Sequence, residues 1–339
     1  MKFKFFFPLF LSLFLLIAPK ISPQSLDIPV KGYGVSFGNS KKFSGFRLNF
    51  RDRQVKEING INVTLWKAMQ NETASVNGLS IGLIPEAGKL QGVQIGALGV
   101  GGKEISGINL GAIGVGSDGN LDGISIGGIG AGAGNNLRGF SIGLIGVGAG
   151  NEIRGIAIGG LGAGAGNNCT GITIGGLGAG AGSDLTGISI GGLGAGAGNN
   201  VQGITIGGLG AGAGEKLRGI SIGGLGAGSG DELSGIAIGG LGAGAPVVKG
   251  LTIGGLMAGG LDVTGVTLAT AWIKIEKEGS FKGLTVSSFN QIRGYQSGVA
   301  IGVINYARKL NGIQIGLINY VRDNPKYLKV LPIINAHFN

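Results

Sequence analysis

Few side chains in this sequence could act as an acid, a base, a nucleophile or a metal ligand. The 339 residues include one histidine, His337, and one cysteine, Cys169. A disulfide needs two cysteines and a Cys/His zinc site needs several such ligands, so these counts exclude both. Cys169 stands where other repeats have Leu, Ile or Val, which predicts a small buried core residue. We expect no catalytic residue, no metal ligand and no cofactor-binding residue.

Acidic residues recur at the ends of successive repeats. They are Glu152, Asp184, Glu215, Asp231 and Glu232. Stacked in a column they could bind calcium weakly, but the glycine-aspartate nonapeptide of calcium-binding β repeats is absent. We therefore interpret them as solvated corners.

The glycine-rich segments invite comparison with phosphate-binding loops. Gly162 and Gly164 match the first two glycines of a dinucleotide fingerprint, but Asn167 stands at the third position and no helix is expected to follow. Gly102-Lys103 is followed by Glu104 where a P-loop has Ser or Thr. Nucleotide binding is not predicted.

One column of small residues suggests a binding face. Positions 125, 141, 157, 173, 189, 205, 221 and 237 read Ser, Ser, Ala, Thr, Ser, Thr, Ser and Ala. On a stacked structure they would form a flat ladder opposite the isoleucines, suited to ice or a regular polymer. Close packing is the favoured interpretation of such small residues.

Composition limits the class of protein. Glycine contributes 77 residues and proline only 8, which excludes collagen. With 43% apolar residues, 13% charged residues and a mean hydropathy of +0.38, the chain is too apolar to be disordered. Its positive charges lie mainly outside residues 121–248 and form no concentrated stripe with aromatics, so no nucleic-acid partner is predicted.

The N-terminus reads as an export signal. Lys2 and Lys4 precede an apolar run from Phe5 to Ile17, and a polar stretch follows up to Ser25. That run is too short for a membrane-spanning helix, which needs about 20 residues. Residues 1–25 are predicted to be a cleaved signal peptide.

An internal repeat dominates the sequence. From residue 121 to residue 248, eight blocks follow one another at a constant spacing of sixteen, typified by IRGIAIGGLGAGAGNN at 153–168. Looser copies fill 76–120 and 250–260. We divide the chain into an N-terminal β cap (26–75), a repeat array (76–260), a charged β-hairpin segment (261–297), and C-terminal repeats with an end strand (298–339).

Within a block the pattern is that of β structure. Ile156 and Ile158 alternate with small residues, and no helix tolerates so many glycines. Leu161 falls out of phase with this alternation. Two short strands joined by a glycine bend would point all three side chains inward. One such block cannot fold alone, so neighbouring copies must stack.

Two architectures fit this repeat. A glycine-rich β-solenoid with 14–16-residue coils and amphipathic β-hairpin caps is favoured by the constant block length, the phase slip, and the single central aromatic residue, Phe140. An outer-membrane up-and-down β-barrel is the alternative. It is supported by Asn-Asn corners every 32 residues and by an end strand that terminates in Phe338. At these corners the solenoid predicts tight turns with left-handed residues.

The flanks have the pattern of terminal caps. Phe46, Leu48 and Phe50 alternate with Arg47 and Asn49, which predicts one apolar and one charged face. Residues 271–286 repeat this alternation and contain a potential turn at 278–280.

A family resemblance rests on the C-terminal copies. GVAIGVINYARKLN (298–311) and GIQIGLINYVRDN (312–324), with the glycine-start copies upstream and the export signal, resemble the leptospiral surface repeat-containing protein family. The likeness covers most of residues 60–335, although the central Gly-Ala version departs from it. The resemblance implies an exported surface protein and supplies no catalytic residues.

These patterns predict a non-enzymatic protein. We expect an exported, cell-surface or outer-membrane-associated repeat protein that serves as a structural or adhesive scaffold, with an outer membrane or a surface polymer as partner and lateral or end-to-end self-association. The alternative is an outer-membrane barrel with a transport or pore role.

Overall fold

A computed structural model describes residues 25–30 and 33–338, so the predicted signal peptide, apart from Ser25, lies outside the described residues. The chain winds into a β-solenoid of about 17 coils, which confirms the favoured architecture. The barrel alternative is wrong: such barrels have antiparallel neighbours, whereas strands one repeat apart pair in parallel. The transport or pore role depended on that barrel and loses its basis.

Each regular coil contains one long and one short strand. The first strands are β1 (Ser25–Val30), β2 (Tyr33–Gly38), β3 (Lys42–Asn49), β4 (Glu57–Thr64), β5 (Ser75–Gly82), β6 (Glu86–Gly96), β7 (Gly99–Gly111) and β8 (Gly114–Ser117). The regular coils comprise β9 (Leu121–Gly127), β10 (Gly130–Ala133), β11 (Asn136–Gly143), β12 (Gly146–Ala149), β13 (Glu152–Gly159), β14 (Gly162–Ala165), β15 (Asn168–Gly175), β16 (Gly178–Ala181), β17 (Asp184–Gly191), β18 (Gly194–Ala197), β19 (Asn200–Gly207), β20 (Gly210–Ala213), β21 (Lys216–Gly223), β22 (Gly226–Ser229), β23 (Glu232–Gly239) and β24 (Gly242–Gly244). The last elements are β25 (Val247–Gly254), β26 (Met257–Ala269), β27 (Trp272–Val286), β28 (Phe289–Ile301), β29 (Ile304–Val321), a 3₁₀ turn (Lys326–Leu328) and β30 (Val330–His337).

The register between coils follows the sequence repeat. Ile153 pairs with Cys169, and Ile156 pairs with Ile172, sixteen residues on. The short strands keep the same offset, so that like residues stack on like along the array. Constant block length is therefore a requirement of the ladder, because one added residue would turn every later side chain to the opposite face.

The side chains that point inward differ from those predicted. Ile153, Ala157 and Ala163 are buried, whereas Ile156 and Ile158 are only partly buried and Leu161 is half exposed. The expectation that all three apolar side chains of the strand–turn segment face inward is therefore wrong. Instead, the long strand presents its small alternate residues to the interior and its isoleucines to the outside.

The tight turn after the long strand restricts one inward position. A Cβ added to Gly159, at the end of the long strand, would lie 1.8 Å from the carbonyl oxygen of Gly162, at the start of the short one, so no side chain fits at Gly159. Ala157 lies two positions earlier on the same inner side. The alternation of the strand therefore directs Ile156 and Ile158 outward.

A glycine in the third position of every block bends the long strand. Gly155 has a φ of 124°, and the same left-handed conformation recurs in each coil from Gly45 to Gly312. A Cβ at Gly155 would also lie 2.1 Å from the carbonyl oxygen of Gly139 in the preceding coil. Backbone conformation and contact both require glycine here.

The asparagine corners stack through their side chains. The Asn167 amide donates to Asn151 at 2.7 Å, and the Asn151 amide donates to Asn136 at 2.9 Å. None of these asparagines has a positive φ; the repeated left-handed position belongs to the strand glycine instead. The corners are thus held by amide ladders between coils rather than by left-handed turns.

Antiparallel strands close both ends of the array. β1 pairs antiparallel with β2, and β30 pairs antiparallel with β29. Segment 261–297, in contrast, forms no separate hairpin, because β27 runs parallel to both β26 and β28. Glu278, at its expected turn, has a φ of 68° and lies at an irregularity within β27.

Candidate functional site

The most extensive surface feature is built from outward-facing isoleucines. On each long strand, two apolar side chains separated by one buried residue point to solvent, as Ile204 and Ile206 do around Thr205. The turn that follows adds a leucine, such as Leu209, which is 49% exposed. We call the two strand columns and this turn column together the apolar face.

The strand columns continue through the described coils. The first comprises Ile28, Val35, Phe46, Ile61, Leu79, Val93, Ile108, Ile124, Phe140, Ile156, Ile172, Ile188, Ile204, Ile220, Ile236, Leu251, Val266, Leu284, Val299, Ile313 and Ala336. The second comprises the residues two positions away, from Leu26 to Ile334. Along the described chain neither column contains an ionisable side chain.

The residue between the two columns is polar in most coils and lies inside. Ser125, Ser141, Thr173, Ser189, Thr205 and Ser221 are at most 2% exposed. The hypothesis that this small-residue ladder forms an ice-binding or polymer-binding face is therefore wrong, because its hydroxyls do not reach the surface. The long strands are inside-out relative to the usual pattern, in which apolar residues face the core and polar ones face water.

Several interior polar groups lack partners. The hydroxyls of Ser189 and Thr205 are buried without a hydrogen bond to any described residue. Near the C-terminus another interior column is linked by hydrogen bonds between its side chains. The Asn290 amide donates to Asn305 at 2.7 Å, and the Asn305 amide donates to Asn319 at 2.8 Å. Sequence reasoning missed this ladder, although an Asn in equivalent positions of consecutive copies was its signal.

A charged cluster fills the interior at the N-terminal end. Arg47 is fully buried and donates to Asp52, and also to Asn62 at 2.7 Å. Asp52 accepts further bonds from Asn62 at 2.9 Å and from Asn49 at 3.0 Å. The strand has the predicted apolar and charged faces, and it is the charged face that points inward, since Arg47 and Asn49 are buried while Phe46 is exposed. The Arg47–Asp52 ion pair neutralises both buried charges inside the first coils, which suits a structural role.

The short strands of the regular coils expose glycine and form a flat glycine surface. Gly162, Gly164 and their equivalents in neighbouring coils point outward. This surface ends at a step, where Met257 and then Trp272 occupy the position of Gly162. A cleft of about 580 Å³ lies at the step and is lined in part by Trp272, Lys274 and Glu276. Lys274 Nζ lies 5.9 Å from the Trp272 ring and pairs with Glu276. Lys274 and Glu276 therefore neutralise each other as a surface ion pair, while Trp272 Nε1 has no hydrogen-bond partner among the described residues.

The remaining sequence candidates lie far apart in the fold. Cys169 is 1% exposed in the interior column, and burial raises the pKa of its thiol. His337 lies on the exposed end strand opposite Gly312. The corner acids do not form a continuous column, because Asn168 stacks on Glu152 and Asn200 stacks on Asp184. No group of three or more potential metal ligands occurs within residues 25–30 and 33–338. None of the helical structure described for this chain is long and apolar enough to cross a membrane.

Comparisons with protein-family models, with curated proteins and with solved structures find no match to this chain. The resemblance to the leptospiral surface repeat family therefore rests on the residue pattern alone. What the chain does must be inferred from the geometry of its own surfaces.

Proposed function

We propose that this chain is a non-enzymatic repeat scaffold, exported to the cell surface or the outer membrane, where it acts as a structural or adhesive element. The observation that carries the proposal is the array itself: about 17 coils stack in one register and present the same columns along their length. At about 4.8 Å per coil the array is on the order of 80 Å long.

The distribution of chemical groups supports this role. In the regular coils the charged side chains stand at corners or on rims, and the inward positions hold small or apolar residues. The buried Arg47 is paired with Asp52. A repeated surface with few converging polar groups suits extended contact with a macromolecule or a polymer better than it suits turnover of a small molecule. Export is supported by the signal-like residues 1–25.

Fractionation of cells that produce the protein with a C-terminal epitope tag tests this proposal. We expect the tagged chain in the envelope fraction, shortened by the predicted signal, and degraded when intact cells are treated with protease. A cytoplasmic chain of full length would overturn the export proposal. A companion chain lacking residues 1–25 serves as the cytoplasmic control.

A further inference from the structure

We propose that the apolar face is the interface between two copies of this chain, packed face to face about a two-fold axis. The proposal goes beyond the scaffold role and does not depend on export. It starts from the inside-out long strands: in coil after coil, isoleucine is outside and serine, threonine or alanine is inside. A strand with this pattern leaves its larger apolar surface in water unless something covers it.

The strands cannot hide these side chains by turning over. A Cβ at Gly191 would lie 1.8 Å from the carbonyl oxygen of Gly194 across the turn, so no side chain fits at this inward position. A one-residue slip of the strand would bring Ile190 to that position. The isoleucines therefore stay outside, where a second copy can cover them.

The size of the face suits a protein dimer. Ile188 and Ile204 are 36% and 37% exposed, and Leu193 is 50% exposed, with similar values in neighbouring coils. At about 4.8 Å per coil over the array and about 10 Å across the three columns, the face covers on the order of 800 Å². Each partner of a standard stable complex contributes about that area, and it exceeds the largest apolar patch of most monomers.

The shape and repeat of the face make it complementary to itself. Identical branched side chains recur at the coil spacing, so ridges on one copy can settle between ridges on the other, as in stacked sheets about 10 Å apart. Two identical faces pair about a two-fold axis, the commonest symmetry of homodimers. Arg154, Arg218 and Lys249 lie two positions before the first column and supply a polar rim.

In the regular coils, charge favours a second copy over a lipid surface. Residues 121–248 contain four basic residues, namely Arg138, Arg154, Lys216 and Arg218. The same residues contain six acidic ones, namely Asp122, Glu152, Asp184, Glu215, Asp231 and Glu232. An anionic membrane attracts a surface on which Lys and Arg outnumber Asp and Glu, whereas in this segment the acidic residues outnumber the basic ones. A nearly neutral segment brings little repulsion to its own copy.

The test compares two double variants that add the same charge to the same strands. Ile188→Lys/Ile204→Lys places lysines in the first column, and Thr186→Lys/Gln202→Lys places them two residues earlier, on the exposed rim. Sedimentation-equilibrium mass is measured on the full chain and both variants. We expect a dimer for the full chain and the rim variant. We expect the face variant to have a dissociation constant raised at least about 100-fold, because the lysines would be desolvated.

A third variant guards against misfolding. Ile188→Thr/Ile204→Thr keeps β-branched residues and the strand preference, so its circular dichroism should match that of the unmodified chain while its dimer weakens. A monomeric full chain, or a face variant as dimeric as the rim variant, would overturn the proposal. A full chain that is monomeric and sediments with phosphatidylglycerol vesicles, while the face variant does not, would overturn the dimer proposal in favour of a lipid partner.

Discussion

At the scale of single residues, the third glycine of the block carries the bend of each coil. Gly187 has a φ of 118°, and a Cβ there would lie 2.1 Å from the carbonyl oxygen of Gly171. Other glycines of the same block are under less constraint. A Cβ at Gly178, on the short strand, would meet the carbonyl oxygen of Gly194 at 3.9 Å, which is ordinary contact. The glycines of one block therefore differ in how strongly the backbone conformation and the neighbouring coil require them.

Substitution at these two glycines separates the roles. Gly187→Ala should lower the unfolding free energy by at least about 1–3 kcal/mol, since it combines a left-handed backbone with a clash. Gly178→Ala should change it by less than about 1 kcal/mol and in the stabilising direction, because the unfolded chain loses entropy. Urea unfolding followed by circular dichroism measures both. Equal losses for the two variants would contradict the assignment.

The buried thiol of Cys169 gives a second prediction at this scale. Burial raises its pKa, so less thiolate exists in the folded chain than in the unfolded chain at the same pH. Reaction with an aromatic disulfide reagent at neutral pH should be slow in the native protein and fast in denaturant. The raised pKa also means that Cys169 supports folding below its unfolded pKa and that this support is lost as the pH rises through the folded value. Rapid labelling of the native protein would refute its burial.

At the scale of elements, the long strand has two faces whose roles are the reverse of the usual ones. In β13, Ile153 packs in the interior column and is 0% exposed, while Ile156 joins the apolar face. These two isoleucines lie three positions apart, so the alternation of the strand places them on opposite faces. The same residue type thus serves the core at one end of the strand and the surface at the other.

A matched pair of truncations tests this reversal. Ile153→Ala should cost about 2–5 kcal/mol of unfolding free energy, as expected for a large-to-small change in a core. Ile156→Ala should cost less than Ile153→Ala, because the Ile156 side chain is only partly buried and its loss leaves no closed cavity. The measurement needs a protein concentration below that at which copies associate. A greater loss for Ile156→Ala would show that the faces are assigned the wrong way round.

Part of the element structure could be predicted. Period-two alternation and the glycine content predicted two short strands joined by a glycine bend between Ile158 and Leu161, and the structure confirms both strands and the bend. The direction of each face could not be predicted, because alternation is symmetrical between the two sides of a strand. Arg47 shows the consequence: the pattern around it predicted one apolar and one charged face but not which of them faces the interior, and its partners Asp52 and Asn62 hold it inside.

At the scale of the whole molecule, stability is distributed along the array. Each coil contacts mainly the coils before and after it, through parallel ladders and stacked interior residues. In such quasi-one-dimensional proteins, whole units can be removed while the remaining interfaces re-form. The antiparallel strands at the two ends protect the edges that the array would otherwise expose.

Deletion of one repeat tests this modularity. Removal of residues 185–200 joins Asp184 to Val201 and keeps the register, so we expect a folded protein with a cooperative thermal transition slightly below that of the full chain. Removal of residues 185–192 takes away half a coil and should cause loss of the β signal or aggregation, because the ladder cannot close. Circular dichroism and thermal scans compare the two. Equal tolerance of both deletions would argue against a coil of fixed perimeter.

The repeat length and the strand content follow from local sequence. The parallel stacking of like residues, which distinguishes the solenoid from the barrel, was decided by the tertiary structure. The inner and outer faces were decided by tertiary structure. The turn after the long strand leaves no room for a side chain at Gly159, since a Cβ there would lie 1.8 Å from the carbonyl oxygen of Gly162. A one-residue slip would bring Ile158 to that position, so the isoleucines stay on the outside and the apolar pattern faces outward.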